Sequence, residues 1–388
     1  MKRVQNGGKD NLMRDEWRNL PDALTCLDGT VIRDRKQWEG KRRPEILEMF
    51  YQMEYGRIPE EELQVTIRLT DVAESPDIMG GKALRKTIEV ETERKGRQFS
   101  FGFVIFVPKR KSKVPVFITI CNRGIKDSDP SRDFLSSFWP AETIVSRGYG
   151  AAAFRTQEVA PDYDEGFTTG FHRLFPEYGG RGKERPANLY GAISAWSWAV
   201  SRIIDYIETD PDLDEKRIAV AGHSRGGKTA LWTAARDPRV AMAAASCAGN
   251  SGDALSRGSR GERIEDITGK FPYWFCPAYK TFSGREEELP FDQHMLLGLI
   301  APRLLYTSAR SRDDWADPEG QFCSLLQAEK VYKLYGKTGL EEGSFQSPEE
   351  PLAGGAIGHH LKTGSHDLDE YDWNCYLDFA DQYLVPFL

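Results

Sequence analysis

The sequence lacks a long apolar run. The longest, Val114 to Cys121, contains Pro115 and is far shorter than the roughly 20 apolar residues that a helix needs to cross a bilayer. Basic residues stand near the start, but no apolar segment follows them, so the pattern of a secretory signal is absent. We therefore predict a cytoplasmic protein that does not bind membranes.

An excess of positive charge is also absent. The chain has 59 acidic and 52 basic residues and a formal net charge of −7. Its Lys and Arg residues are scattered among Asp and Glu, whereas a protein that binds nucleic acid gathers them in a patch or stripe. The charge therefore predicts solubility and no nucleic-acid partner.

Cysteine is scarce, with six among 388 residues. No two form a C-x-x-C pair, and none stands at zinc-ligand spacing from a His. The simplest interpretation is six free and mostly buried thiols in a reducing compartment. There is also no Walker loop and no G-x-G-x-x-G motif, so nothing in the sequence calls for a metal or an organic cofactor.

Two kinds of strand pattern are present. Segments 65–70, 84–93 and 99–107 alternate apolar and polar residues, as strands with one solvated face do. Continuous small or apolar runs, typical of strands covered on both faces, follow at 114–121, 150–154, 218–221, 240–247 and 304–308. A last strand is predicted in the segment Gly354-Gly355-Ala356-Ile357-Gly358-His359-His360-Leu361-Lys362.

These patterns predict an α/β fold of the α/β-hydrolase type, a three-layer, doubly wound and mostly parallel sheet with antiparallel N-terminal edge strands. Residues 190–208 repeat apolar side chains at helical spacing and lead into the strand at 218. We expect residues 1–60 to form a helical extension packed on the fold. Residues 61–388 would form one catalytic domain with an insertion at about 248–292.

The segment Gly222-His223-Ser224-Arg225-Gly226 joins an apolar run to helix-forming residues. This is the pattern of a nucleophile elbow, in which a strand reverses sharply into a helix with Ser at the apex and only Gly fits on either side. We predict that Ser224 is a catalytic nucleophile and that the backbone N–H of Arg225 faces the oxyanion. The alternative is a structural Gly-rich turn.

The chain order of α/β-hydrolases, nucleophile, acid and then His, limits the choice of base. His172 precedes the elbow, and the side chain of His223 should point away from the nucleophile. His294 starts an apolar helix, and the adjacent His359 and His360 lie in the predicted last strand. His366 follows that strand in a turn-rich loop, which makes it the predicted base, the alternative being a solvated loop His.

Three carboxylates follow the strand at 304–308, where this fold presents its acid: Asp313, Asp314 and Asp317. Asp313 lies at the usual reach beyond the strand end and is the preferred acid, which would fix the tautomer of His366. Asp314 and Asp317 remain alternatives, as does a surface loop without a catalytic role.

The elbow GHSRGGK, with LPFDQHMLLGLIAPR and DDWADP downstream, resembles the glucuronoyl esterases of carbohydrate esterase family fifteen and the related acetyl-xylan-esterase-like hydrolases. The likeness runs from about Val114 to the C-terminus. It implies that Arg225 helps to stabilise the oxyanion, that Lys228 donates to sugar hydroxyls and that Trp315 lines a sugar pocket. Without the resemblance, Lys228 would be a solvent-facing lysine and Trp315 a core aromatic.

Two features depart from the family pattern. The elbow Cys, which joins a disulfide in fungal relatives, is His223 here. Where those relatives carry a catalytic Glu, in a segment resembling Q-E-S-G, this chain reads Ser246-Cys247-Ala248-Gly249. The acid must then come from the later loop, which independently favours Asp313.

Two further site elements are predicted. The segment after the strand 114–121 usually supplies the second oxyanion donor of this fold, so we assign that donor to a backbone N–H near Arg123. The insertion holds Trp274 among other aromatic and Arg residues and is expected to build a lid or pocket wall that contacts substrate. It could equally be a packed structural excursion.

Together these residues predict a serine esterase acting on carbohydrate esters, small or oligosaccharide in size, with esters of uronic acids first. An O-acetyl sugar esterase, such as an acetyl xylan esterase, or a pectin-type methylesterase is the alternative enzyme. A catalytically silent hydrolase scaffold that binds carbohydrate or protein is the alternative of another class.

Overall fold

Nine strands form one sheet in the computed structural model, which describes residues 14–75, 77–340, 345 and 347–384. Their order across the sheet is β1-β2-β3-β5-β4-β6-β7-β8-β9. The strands are β1 Gln64–Ala73, β2 Ala83–Arg94, β3 Arg97–Pro108, β4 Val114–Cys121, β5 Gly150–Arg155, β6 Leu213–His223, β7 Val240–Ser246, β8 Leu304–Arg310 and β9 Ile357–Lys362.

The sheet changes character across its width. Strands β1, β2 and β3 pair antiparallel, and β3 meets β5 antiparallel, whereas the six strands from β5 to β9 pair parallel. Strand β1 is largely exposed, while every residue of β4 and β8 is buried. The predicted α/β-hydrolase class, with its antiparallel edge and parallel centre, is confirmed, because alternating patterns became edge strands and continuous apolar runs became central ones.

Helices cover the sheet in two groups. The first group packs α2, α5, α6, α8 and α9 against one another, and the second joins α3 and α10 through Arg147 and Asp381. The predicted helix at 190–208 is α5, most of whose residues are buried. The helices are α1 Arg35–Gln37, α2 Arg43–Met53, α3 Ala141–Ser146, α4 Thr156–Val159, α5 Ala192–Thr209, α6 Arg225–Arg236, α7 Ile264–Lys270, α8 Gln293–Gly298, α9 Pro318–Leu334 and α10 Glu370–Tyr383.

The segment before β1 packs on this framework through α2, whose Ile46 and Phe50 are buried in the core. Residues 1–13 of the predicted N-terminal extension lie outside the described residues. The predicted insertion separates β7 from α8 and contains the short helix α7. No helix among residues 14–75, 77–340 and 347–384 is long and apolar enough to span a bilayer.

All six cysteines are buried, as predicted. Parallel strands place their carboxyl ends at one edge of a sheet, and ligands of open α/β sheets bind outside that edge. Ser224 follows β6, Asp313 follows β8 and His366 follows β9. The fold therefore gathers residues that are far apart in sequence along one edge.

Candidate active site

Ser224 stands between β6 and α6 in a conformation that non-glycine residues rarely adopt, with φ 57° and ψ −124°. Such a backbone costs about 1–3 kcal/mol and persists only where its surroundings hold it in place. Here its N–H donates to Ser246 O at 2.8 Å, and its carbonyl accepts from the Lys228 N–H at 3.0 Å. These bonds fix the serine at the apex of the turn.

The glycines of the elbow have a steric reason. A Cβ added to Gly222 would lie 2.2 Å from the carbonyl oxygen of Gly226, a distance that no side chain tolerates. A Cβ on Gly226 would lie 3.1 Å from Asn122 Oδ1. The crowding comes from strand and helix backbones that cross closely at the turn, as a nucleophile elbow requires.

His366 and Asp313 form a hydrogen-bonded pair. Asp313 Oδ2 lies 2.6 Å from His366 Nδ1, and the side chain of Asp313 is 4% exposed while that of His366 is 40% exposed. A carboxylate at this nitrogen holds the proton on Nδ1 and leaves Nε2 free to accept one. This is the arrangement that a general base requires.

The other two carboxylates of that loop have different surroundings. Asp314 is exposed at the start of a 3₁₀ turn, and no bond joins it to a His within the described residues. Asp317 caps α9 by accepting a hydrogen bond from Gly320 N at 3.2 Å. Its two carboxylate oxygens also accept from the two terminal nitrogens of Arg14, each at 2.7 Å. Of the three candidates, Asp313 is therefore the one placed to orient His366.

Backbone bonds connect the acid loop with the histidine loop. The N–H of Ser311 donates to Lys362 O, and the N–H of Arg312 donates to Gly364 O, both at 2.9 Å. Farther along the histidine loop, the carbonyl of Asp367 accepts from Arg310 Nε at 3.1 Å. The pairing of β8 with β9 thus continues beyond the strands and sets the spacing of acid and base.

His223 packs against the candidate base. The sequence predicts that its side chain points away from the nucleophile, and the structure adds that its ring centroid lies 4.4 Å from that of His366. Burial, and then the charge that His366 can carry, lower the pKa of His223 well below its usual value. His223 is therefore a neutral ring that supports one side of His366, a contact that sequence spacing alone does not reveal.

Cys247 follows β7, at the position where the resemblance noted above implies a Glu. Its Sγ, an oxygen of Asp313 and a ring nitrogen of His366 all lie within 4.8 Å of one another. Burial, reinforced by the nearby charge of Asp313, raises the pKa of the thiol well above its ordinary value. Cys247 is thus a protonated neighbour of the acid and base.

Arg225 lies at the start of α6 and forms an ion pair with Asp162. Its Nη2 donates to Asn122 O at 3.2 Å, and its guanidinium lies 5.9 Å from the ring centroid of Trp274. Trp274 Nε1 in turn donates to Asp162 Oδ1 at 2.8 Å. The insertion thereby supplies a wall beside Arg225, and Asp162, which no sequence motif marks, joins the two.

Arg123 points toward the histidine loop. Its Nη2 donates to Asp367 Oδ1 at 2.6 Å, and its guanidinium lies 4.4 Å from the ring centroid of Phe138. Burial raises the pKa of the Cys121 thiol, and the backbone N–H of Arg123 partly opposes this effect. The second oxyanion donor, a backbone N–H near Arg123, stays a prediction.

Lys228 is buried, in contrast to a solvent-facing helix lysine. Its Nζ donates to Ala248 O at 2.7 Å, to Glu262 Oε2 at 2.8 Å and to the carbonyl of Asn250. An ammonium has three N–H groups, so a sugar hydroxyl can bind Lys228 only by displacing one of these acceptors. Lys228 holds Glu262, which the sequence did not single out, and its donation to a sugar hydroxyl stays a prediction.

Trp315 lies beside the buried pair of Lys228 and Glu262, and 42% of its own surface is accessible. Its Nε1 donates to Glu262 Oε1 at 3.2 Å, and Lys270 Nζ lies 3.9 Å from its ring centroid. It is therefore not a core aromatic. Its indole is held by Glu262 and presents a flat apolar surface of the kind on which sugar rings pack.

The other histidines are buried and hydrogen-bonded within the fold. His172 bonds Tyr190 and His294 bonds the carbonyl of Pro21, and burial lowers their pKa values to about 3 and about 4. His359 bonds Thr307, and burial lowers its pKa to about 3. His360 bonds Asp372 at 2.9 Å.

Comparison with known proteins gives consistent matches. Residues 90–336 match the family model described as glucuronyl esterase, fungi. The chain is 34% identical to carbohydrate esterase MZ0003 from an unknown prokaryotic organism, across 94% of this chain and 90% of the relative. It is 29% identical to the 4-O-methyl-glucuronoyl methylesterase of Schizophyllum commune, across 82% of this chain and 74% of the relative.

Solved structures agree with these relatives. A promiscuous CE15 esterase from the marine bacterial metagenome superposes with a TM-score of 0.84 at 33% identity, covering 94% of this chain and 96% of the other. A glucuronoyl esterase from Solibacter usitatus gives a TM-score of 0.82 at 33% identity, covering 93% and 97%. The chain belongs to the glucuronoyl esterase family, carbohydrate esterase family 15, and is a carboxylic ester hydrolase.

Proposed function

We propose that this esterase hydrolyses esters of uronic acids carried by small saccharides, with Ser224 as nucleophile, His366 as base and Asp313 as acid. The observation that carries the proposal is the 2.6 Å contact between Asp313 and His366 at the same sheet edge as the strained turn at Ser224. The names of the relatives, which include glucuronoyl methylesterases and glucuronoyl esterases, support the substrate class.

The reaction would proceed in two steps. His366 Nε2 takes the proton of Ser224 Oγ as that oxygen attacks the ester carbonyl, and it then gives the proton to the departing alcohol. Water, deprotonated by the same nitrogen, releases the uronic acid from the acyl-enzyme. Asp313 keeps the other proton on Nδ1 and stabilises the imidazolium without being protonated itself.

Arg225 is the proposed oxyanion donor. Its backbone N–H opens α6 directly after the nucleophile, where an N–H of the helix start can face developing negative charge. Asp162 holds the guanidinium of Arg225 in place through an ion pair. A backbone N–H near Arg123, after β4, is the proposed second donor.

The sugar would bind toward Trp315. Its indole is partly exposed, and the carboxylate of Glu262 joins the indole N–H to the ammonium of Lys228. A sugar hydroxyl that approaches this group can donate to Glu262, or it can accept from Lys228 by displacing one of its three acceptors, whereas an apolar ester lacks such hydroxyls. Trp274 would form the wall on the side of Arg225.

A second candidate activity is removal of O-acetyl groups from sugars. The similarity to an esterase described as promiscuous favours measuring it beside the first. In that reaction the acyl group is small and the sugar is the leaving alcohol, so the two substrates occupy the site in opposite directions. Cytoplasmic location, and with it a supply of imported oligosaccharides, stays a prediction.

The deciding experiment compares the purified protein with Ser224→Ala on a benzyl or methyl glucuronate ester and on an acetylated xylo-oligosaccharide. Serine-dependent hydrolysis of the uronate ester supports the proposal, and release of acetate alone would replace it with the second activity. If neither substrate reacts, labelling of Ser224 by a fluorophosphonate separates an unrecognised substrate from an inert scaffold.

A further inference from the structure

The acid and base of the candidate site have a thiol beside them. Cys247 Sγ, an oxygen of Asp313 and a ring nitrogen of His366 lie within 4.8 Å of one another. In the part of the chain that the structure describes, no other three side chains of His, Cys, Asp and Glu bring their ligand atoms this close together. These three side chains are therefore candidate ligands for a metal ion.

The chemistry of the three donors selects a particular class of ion. Thiolate, imidazole and carboxylate together suit Zn²⁺ and its softer relative Cd²⁺, whereas Mg²⁺ and Ca²⁺ prefer oxygen ligands alone. Zinc bonds of about 2.0–2.3 Å in tetrahedral geometry set ligand atoms about 3.3–3.8 Å apart. The thiol must move inward, and the 2.6 Å contact between His366 and Asp313 must open by about 1 Å.

Little holds the thiol away from such an ion. The contacts of Cys247 Sγ are long, 3.7 Å to Ser246 Oγ and 3.9 Å to Asp367 O, and both involve a weak sulfur partner. Cys247 and Asp313 are buried, but the side chain of His366 is 40% exposed. An ion can therefore reach the two buried ligands along the edge of the imidazole.

We propose that Cys247, Asp313 and His366 form an inhibitory site for Zn²⁺ or a comparably soft divalent ion. The inhibitory part of this inference rests on the proposed function, since it assigns His366 as the base. The binding part rests on the positions of the three donors alone.

The mechanism of inhibition follows from the tautomer of His366. A metal ion on Nδ1 takes the lone pair of that nitrogen, so the ring proton moves from Nδ1 to Nε2. The thiol of Cys247 gives its proton to water as its sulfur binds. An imidazole protonated on Nε2 cannot accept the proton of Ser224, so hydrolysis stops while the ion stays bound, and a chelator restores it.

Binding is tested on the full chain with Cd²⁺, because a thiolate bound to cadmium gives an ultraviolet charge-transfer absorbance. We expect one equivalent to develop this absorbance in the unmodified protein and in Cys26→Ser, the matched control, which removes a buried thiol from the N-terminal segment. Cys247→Ser should abolish it. Equal absorbance with Cys247→Ser would overturn the proposal.

Inhibition is tested with Zn²⁺, each variant being compared with its own rate in the presence of chelator. Loss of the sulfur ligand should raise the zinc concentration for half inhibition about 10–100-fold in Cys247→Ser and leave it unchanged in Cys26→Ser. Unchanged zinc sensitivity of Cys247→Ser would place inhibition elsewhere and refute the proposed site. If the protein binds Cd²⁺ through Cys247 but hydrolyses no ester, the proposed function fails and the metal site stands.

Discussion

The ends of β7 and β8 lie side by side, with Ser246 paired to Ser308, yet the segments that follow the two strands have different roles. After β7 the chain is buried, and the carbonyls of Ala248 and Asn250 accept from Lys228. After β8 the chain carries Asp313 to His366. Both strand ends approach the imidazole, since the thiol of Cys247 after β7 also lies within 4.8 Å of His366. The difference suggests a rule to test: the acid has to reach one nitrogen of His366, whichever strand it follows.

The sharpest test of this comparison is Asp313→Asn. The amide keeps the shape but cannot hold the proton on His366 Nδ1, so kcat should fall about 10⁴-fold. Steady-state kinetics on a uronate ester measure the loss. Asp314→Asn, which removes an exposed neighbour with no described contact to a His, should change kcat less than about twofold. A comparable loss in both variants would mean that Asp313 has no special role.

The second test moves the acid to the other strand end. In Asp313→Asn, the further change Cys247→Glu places a longer carboxylate where a thiol already lies within 4.8 Å of His366. We expect it to recover about 10²-fold of the lost kcat, within the usual worth of a positioned acid–base group. Cys247→Gln in the same background has the shape without the charge and should recover nothing. Equal rates for Glu and Gln would show that the β7 end cannot supply the acid.

A third test separates structure from catalysis within the loop after β8. Asp317 binds Arg14 through two bonds of 2.7 Å, with side chains 7% and 4% exposed. Asp317→Asn keeps the helix cap but breaks this buried pair, and because Glu319 still contacts Arg14, the free energy of unfolding should fall by about 2 kcal/mol. Urea denaturation measures it. Full stability would show that Glu319 alone suffices.

The smallest expected effect is on sugar binding. Trp315→Ala removes the exposed indole above Glu262 and should raise KM for a glucuronate ester about tenfold while changing kcat little. Trp315→Phe keeps a flat ring without the N–H, so its KM should lie between the values of the unmodified protein and Trp315→Ala. A pure loss of kcat would assign Trp315 to the chemistry instead of to binding.

The sequence predicted the sheet well because burial on one or two faces leaves a mark on every residue of a strand. The continuous run at 304–308 became β8, and the alternating run at 84–93 became β2. The positions of Ser224, Asp313 and His366 could be suggested because strand ends and chain order limit where such residues lie.

Side-chain partners across distant segments were not predictable in the same way. Glu262 and Asp162 lie in loops whose local pattern carries no period, and their roles arise only from contacts to Lys228 and Arg225. Lys228 is buried, whereas a charged residue early in a helix is expected to face solvent. The rings of His223 and His366 are in contact because the elbow and the histidine loop converge there, and spacing within the elbow cannot predict this contact.

The pairing of β8 with β9 has a consequence for the order in which the enzyme matures during synthesis. Asp313 and His366 both lie in the last fifth of the chain, and backbone bonds between their loops set their spacing. A nascent chain that has emerged only as far as the elbow contains Ser224 but lacks the proposed base. Under the proposed roles, hydrolytic activity therefore arises only when β9 docks beside β8 and brings His366 to Asp313.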